Sequence, residues 1–250
     1  MTEVNDILTS QQLSSPYPGN FEHLYISSRK KEDRIYTDEQ VALLPHMAPD
    51  HIHSNEWKFR NRSANRLLHY LQKKNSHLSI LEVGCGNGWL LGWLSKLEDA
   101  DLTGIDLNGT ELNQAKRVFG QNPKIHFERG ELNTIRFHQK MDIILFAASI
   151  QYFPDLSETL GDALSLLNPG GEIHILDSHF YDMAQLKNAM ERSRFYYQSI
   201  GYGEMAEYYF HHAFHLLRPF HYQFLYNPHQ LKNKLLRRKD PFPWIRITES

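Results

Sequence analysis

Hydrophobic positions follow two regimes along the chain. From Ser79 to about Asp177, short apolar runs alternate with stretches whose apolar residues recur every three or four positions. The runs predict strands at 79–83, 101–106, 124–129, 141–146 and 171–177, and the spaced stretches predict helices near 89–97, 109–119 and 156–167. The strands are apolar along most of their length, as expected when helices cover both faces of a parallel sheet. Leu167-Asn168-Pro169-Gly170-Gly171 reads as a helix stop and turn before the fifth strand.

Upstream, a helix is predicted from Ser54 as N-cap to about Lys73, with Glu56 in its first turn. Trp57, Ala64, Leu67, Leu68 and Leu71 form its apolar stripe; Arg60 falls within the stripe, whereas Arg62 and Arg66 point away. A cation on a buried face needs an anionic partner, either a protein carboxylate or the carboxylate of a bound cofactor. Residues 1–53 are polar and carry Pro16, Pro18, Pro45 and Pro49. They read as an N-terminal arm that is loosely structured or folds over a cofactor site, with Phe21, Leu24, Tyr25 and Ile26 available to dock.

Beyond Asp177 the pattern changes. Residues 178–226 hold 14 of the 27 Phe and Tyr residues. Helices are predicted near 182–199 and 203–217, then a strand near 221–226, a short helix near 229–237 and a last strand near 243–248.

Composition removes several function classes. Twenty-seven Lys and Arg against 29 Asp and Glu leave a net charge of -2, with no global pull toward nucleic acid or membrane. Cys85 is the one cysteine, so a disulfide framework and a thiolate metal cluster are excluded. No leader-like segment and no run of about eighteen apolar residues is read, so the expectation is a cytoplasmic protein without a membrane span.

The candidate chemistry starts at Glu82-Val83-Gly84-Cys85-Gly86-Asn87-Gly88, where an apolar strand ends in an acid and three alternating glycines precede a helix. Glycines permit close ligand approach, and the helix start offers unpaired N–H groups. Asp106 ends the next strand about twenty residues on, where a carboxylate can accept both hydroxyls of a ribose. The Gly-x-Gly-x-Gly spacing and the absence of a Tyr-x-x-x-Lys pair argue against a nicotinamide enzyme.

With Gly104-Ile105-Asp106, Gly130-Glu131 and Leu167-Asn168-Pro169-Gly170-Gly171 following in order, residues 78–177 resemble the class I S-adenosylmethionine-dependent methyltransferases. The resemblance implies a Rossmann-like α/β fold: a seven-stranded, mostly parallel sheet with an antiparallel last strand. It divides the chain into the arm at 1–53 and a methyltransferase domain at 54–250, in which 178–220 is a lid insertion after strand five. It further implies that Gly84, Cys85 and Gly86 line the methionine portion of S-adenosyl-L-methionine, whose product is S-adenosyl-L-homocysteine. Glu82 would orient the amino group there, and Asp106 with Leu107 would hold the ribose. Glu131 and Leu132 would contact adenine, Ala147 would face the methionine amino group, and Arg60 is the candidate for its carboxylate. Gln151 and Tyr152 are the catalytic candidates on the acceptor side.

The acceptor is narrowed by absences. Strand four lacks an Asn/Asp-Pro-Pro-aromatic motif, which argues against amino-methylation of adenine or glutamine. The basic run Lys232, Lys234, Arg237, Arg238 and Lys239 reads as a solvated helix face rather than a phosphate contact, so nucleic acid is not the expected partner. The leading expectation is transfer to O or N of a small molecule; the alternatives are an RNA or protein methyltransferase and a non-catalytic cofactor binder. His211 and His215 have metal-ligand spacing on a helix, but packing is the favoured reading and no metal is expected.

Overall fold

The computed structural model describes residues 20–231, 233 and 240–249. The first part of the arm, the basic run at 232–239 and most of the helix expected at 229–237 lie outside them.

Seven strands form one sheet: β1 (Leu78–Val83), β2 (Ala100–Asp106), β3 (Ile125–Arg129), β4 (Met141–Ala147), β5 (Leu167–Leu176), β8 (His221–Tyr226) and β9 (Trp244–Thr248). A separate two-stranded piece is made of β6 (Phe180–Tyr181) and β7 (His212–Ala213). The order is β3-β2-β1-β4-β5-β9-β8; β1 to β5 run parallel, and β9 lies antiparallel to both neighbours. This is the Rossmann-like α/β fold expected from the sequence.

Both sheet faces are buried, and the two-residue period of a strand divides its side chains between them. Ile80, Ile143 and Leu145 face α3 (Ser54–Gln72), α4 (Trp89–Leu94) and α5 (Gly109–Phe119). Leu81, Ile144 and Phe146 face the opposite core, where α6 (Leu156–Ser165) contributes Leu156, Leu160 and Ala163. The chain order reverses between β1 and β4. Helices leave the carboxyl ends of these strands in opposite directions, so a crevice opens there.

The arm contains two helices, α1 (Phe21–Lys31) and α2 (Asp38–Leu43). Glu22 fastens α1 across the carboxyl edge of the sheet: its Oε1 accepts from the Thr110 N–H (2.9 Å) and Oγ1 (3.0 Å), and its Oε2 pairs with Arg129 (2.9 Å). Asp38 fastens α2 to α5 through Arg117 (2.9 Å) and Gln114 (3.0 Å).

Several local expectations are corrected. Ser54 is the first residue of α3 rather than its cap; His53 occupies the capping position without a side-chain cap and places its Nε2 2.6 Å from the Glu32 carbonyl. Off the apolar stripe, Arg62 and Arg66 find an anionic partner that the sequence did not identify, the buried Asp240, each at 2.5 Å. The Pro-Gly-Gly turn sits inside β5: Met141 pairs with Leu167 and Ile143 with Glu172, so Asn168–Gly171 bulge opposite Asp142. The helix expected at 203–217 does not form. Residues Gly203–Tyr208 and Phe214–Leu217 are 3₁₀ turns, and His212–Ala213 pairs with Phe180–Tyr181 as β7. His211 and His215 are therefore not one turn apart on a helix, which removes the spacing argument for a metal.

A polar network ties α3, β5 and β9 together. Glu172 accepts from Tyr70 (2.9 Å), Lys74 (3.0 Å), His174 (3.1 Å) and Arg246 (3.3 Å). Trp244 donates to His174 Nδ1 (3.0 Å), which leaves Nε2–H for Glu172. Burial alone would raise the Glu172 carboxyl, but these donors hold it at about 2, while burial lowers His174 below its ordinary 6.5. Both folded-state shifts are downward, so the unfolded chain binds more protons and stability falls on acidification. The Glu172 contribution is present above pH 4.5 and is lost between 4.5 and about 2; the His174 contribution begins to fall below 6.5. Denaturant titrations at pH 7, 5 and 4 are expected to show progressive loss, and Glu172→Gln to flatten the lower part of that profile.

Candidate functional site

The crevice at the carboxyl ends of β1 and β4 is a cleft in two connected halves. The larger encloses about 1060 Å³ with its open mouth included and runs past Asp106, Leu107, Glu131 and Leu132. The smaller, about 610 Å³, is bordered by Arg60, Glu82, Cys85 and Ala147. Gly84 and Gly86 line both halves, so the glycine loop is the ridge between them. The sequence-predicted residues thus divide into two sets on either side of that loop.

Backbone geometry explains the glycines. Gly84 has φ +74°, and a Cβ there would lie 2.6 Å from the Ser149 Cβ. Ser149 is fixed in turn, donating its hydroxyl to the Val83 carbonyl at 2.6 Å. The loop and the end of β4 therefore touch without room for a side chain.

Asp106 organises the larger half. Its Oδ2 accepts the Gly86 N–H (2.7 Å) and its Oδ1 the Asn108 N–H (2.8 Å). One carboxylate thereby locks the glycine loop to the start of α5. Each oxygen keeps acceptor capacity for a ligand hydroxyl. Burial raises the Asp106 pKa against the opposing pull of these N–H donors.

Glu82 is 2% exposed, and its Oε2 has no hydrogen-bond partner. Burial, then the proximity of Asp106, push its pKa well above the carboxylate range. An orphaned buried acceptor facing a cavity is a position where a ligand donor would be stabilising. Arg60 borders the same half, but its protein partner is Glu56 (3.0 Å), and its guanidinium stacks 5.2 Å from the Trp57 ring centroid. Glu56 also binds Arg34 (2.7 Å), so two arginines that line this half share one carboxylate. The buried Cys85 thiol is shifted upward by burial, which makes it inert packing.

Tyr152 forms a wall of the larger half and Gln151 does not. Gln151 donates to the Ala148 carbonyl (2.5 Å) and accepts from Ser178 (3.0 Å), so its amide is committed to the turn after β4. Tyr152 receives Arg29 from α1 at 3.0 Å and packs edge-on against Tyr25. Behind it stand residues from 178–220: Tyr209 lies 5.8 Å from the Tyr152 ring, and Tyr196, on α7 (Met183–Ser199), donates to Glu32 at 2.5 Å. Residues 178–220 do not line either half of the cleft directly.

Sequence reasoning named two contributors without placing them and missed a third, Glu111. Phe21 and Tyr25 of α1 line the larger half, and Tyr25 reaches both. Their signal was an apolar cluster in a polar arm, which fixes no location. Glu111 also lines both halves, with its Oε2 3.2 Å from where a Gly86 Cβ would be. As a first-turn helix acid it looks like an ordinary partner of the helix dipole.

Known proteins are similar to this chain in sequence and in fold. A methyltransferase-domain family model matches residues 80–171. The malonyl-[acyl-carrier protein] O-methyltransferase of Acetivibrio thermocellus is 28% identical over 139 residues, covering 55% of this chain and 49% of that one. The trans-aconitate 2-methyltransferase of Escherichia coli is 29% identical over 117 residues, covering 46% and 45%. The chain thus spans about half the length of these curated relatives. In fold it is similar to magnesium protoporphyrin IX methyltransferase from Synechocystis PCC 6803, with a TM-score of 0.60 at 13% identity over 90% of this chain and 94% of that one. The matched residues lie on the strands and turns that build the cleft, so residues 80–171 are similar to a methyltransferase domain and the whole chain is similar in fold to a methyltransferase.

Proposed function

We propose that the protein is an enzyme that transfers the methyl group of S-adenosylmethionine to an oxygen or nitrogen of a small-molecule acceptor. The observation that carries this reading is the divided cleft, with hydroxyl-accepting Asp106 on one side of the glycine ridge and orphaned Glu82 on the other. Asp106 and Leu107 hold the ribose, Glu131 and Leu132 border adenine, and Gly84 and Gly86 support the methionine chain. Glu82 accepts from the amino group beside the Ala147 carbonyl, and Arg60 with Arg34 attracts the carboxylate. The bound donor supplies an activated methyl on sulfur. The protein's task is then to position and desolvate the acceptor.

Tyr152 is the acceptor-side residue in this reading, and residues 178–220 serve as a lid behind it and α1. The names of the malonyl and aconitate relatives support an oxygen acceptor on an acidic molecule. Among the described residues, no helix is long and apolar enough to cross a membrane.

Thermal denaturation with S-adenosylmethionine and S-adenosylhomocysteine tests donor binding. At a hundredfold excess over Kd each ligand stabilises by about 2.7 kcal/mol, or roughly 5–10 °C for a chain of this size. No shift at millimolar ligand would count against the reading. Labelled methyl donor offered with carboxylic acids, phenols and amines then identifies the acceptor class.

A further inference from the structure

Three carboxyl groups meet near the glycine ridge, and their partners differ. Asp106 is satisfied by two backbone N–H groups, and Glu82 faces the smaller half. Glu111 lines both halves, and its carboxyl has no hydrogen-bond partner among the described residues. The reason is local. Asn108 caps α5 by accepting the Glu111 N–H at 3.1 Å. In a reciprocal capping box the Glu111 carboxylate would accept the Asn108 N–H in return. Asp106 already holds that N–H, so the Glu111 side chain is released into the cleft.

Its position has a chemical consequence. In S-adenosylmethionine the sulfur is the atom that joins the adenosyl half to the methionine half. Tyr25, Gly84, Gly86, Glu111 and Ala148 border both halves of the cleft, and with the donor bound across the ridge they would be the residues beside that atom. Among them only Glu111 carries a carboxyl. On the reading of the cleft as the donor site, we propose that Glu111 recognises the sulfonium charge and makes the protein favour the cationic donor over its neutral-sulfur product. This selects the methylated form of the ligand and assists exchange of spent product for fresh donor.

The surrounding charges fit that role. Burial, then Asp106, push the Glu111 carboxyl up to about 7. Arg29 on α1 and Arg60 on α3 oppose the shift, but each is already paired, Arg29 with Glu32 and Arg60 with Glu56. Tyr25 on α1, the Cys85 thiol, Tyr152 and Glu82 are the other titratable groups around the junction, and burial disfavours the ionised form of each. A ligand cation at the junction stabilises ionised Glu111, so binding the donor expels a proton from Glu111 near pH 7, whereas binding the product leaves Glu111 protonated.

Calorimetric titration of the full chain with S-adenosylmethionine and S-adenosylhomocysteine tests this. At pH 8 the wild type is expected to bind the donor about tenfold more tightly than the product, the scale of one partly screened charge pair. At pH 6, with Glu111 protonated, the ratio is expected to shrink to about twofold. Glu111→Gln is expected to bind the product like wild type and to show the small ratio at both pH values. Titrations in buffers of different ionisation enthalpy are expected to report more proton release for the donor than for the product, because Glu82 meets the amino group of both and Glu111 the sulfonium of the donor alone. A donor-to-product ratio that is the same at pH 6 and 8 in the wild type, or that survives in Glu111→Gln, overturns the role of Glu111 and leaves the donor site standing. Failure of the wild type to bind either ligand overturns the donor site itself.

Discussion

Asp106→Ala is expected to weaken S-adenosylmethionine binding about a hundredfold while the sheet stays folded. The carboxylate has two tasks at once. It offers acceptors to ribose hydroxyls, and it holds the N–H groups of Gly86 and Asn108 at 2.7 and 2.8 Å. Hydrogen bonds to a charged group are each worth roughly 1.5–3 kcal/mol, so even at the lower figure losing the ligand pair accounts for a factor of about a hundred. Gly86 and Asn108 both border the cleft, so water entering the space left by the side chain can replace it at their N–H groups, which limits the loss of stability to about 1–2 kcal/mol. Titration calorimetry with the donor and thermal denaturation of the free protein separate the two effects. Asp106→Asn keeps the size and one acceptor, and should fall between wild type and alanine. Unchanged affinity in Asp106→Ala would remove the residue from the site.

Gly84→Ala is expected to cost both fold stability and ligand binding. The residue sits at φ +74°, where an L-residue loses about 1–2 kcal/mol, and the new methyl would meet the Ser149 Cβ at 2.6 Å. Ser149 cannot swing aside without giving up its hydrogen bond to Val83. Strain and overpacking together predict about 3 kcal/mol of destabilisation, a fall of roughly 6–12 °C in Tm. Gly170→Ala is the control: φ is +79° there, but nothing lies within 4 Å of the added carbon, so only the backbone penalty remains. Equal effects of the two variants would show that the contact with Ser149 is unimportant.

Gly84 was legible because it belongs to a contiguous turn. A strand of buried residues, an acid, glycines and a helix start follow one another from Ile80 to Leu91, and neighbouring residues in sequence are neighbours in the cleft. Asp106 was legible for a related reason. Parallel pairing of β1 with β2 sets Glu82 opposite Gly104, so the ends of both strands arrive at one edge. Gln151 shows where such reasoning stops. Its position after β4 is right for an acceptor-side residue, yet its amide turns inward to Ala148 and Ser178. The failed helix at 203–217 has a similar origin. The aromatic and histidine positions allow helical spacing, but Phe210 N–H bonds to the Gln151 carbonyl at 2.7 Å and β7 pairs with β6, which leaves no room for continuous helical bonding.

The sequence by itself determined the alternating strand–helix order, the glycine turn and the acid at the end of β2, because each is a local pattern of periodicity or backbone permissiveness. Tertiary structure alone decided what lies across the cleft. Glu22, reaching Thr110 and Arg129 about ninety to a hundred residues away, carries α1 over the sheet edge and delivers Tyr25 and Arg29 to the site. Asp106, by taking the Asn108 N–H, turns Glu111 from a helix cap into a cavity carboxyl. Both outcomes depend on which group wins a hydrogen bond after distant segments meet, and that competition leaves no spacing in the sequence to read.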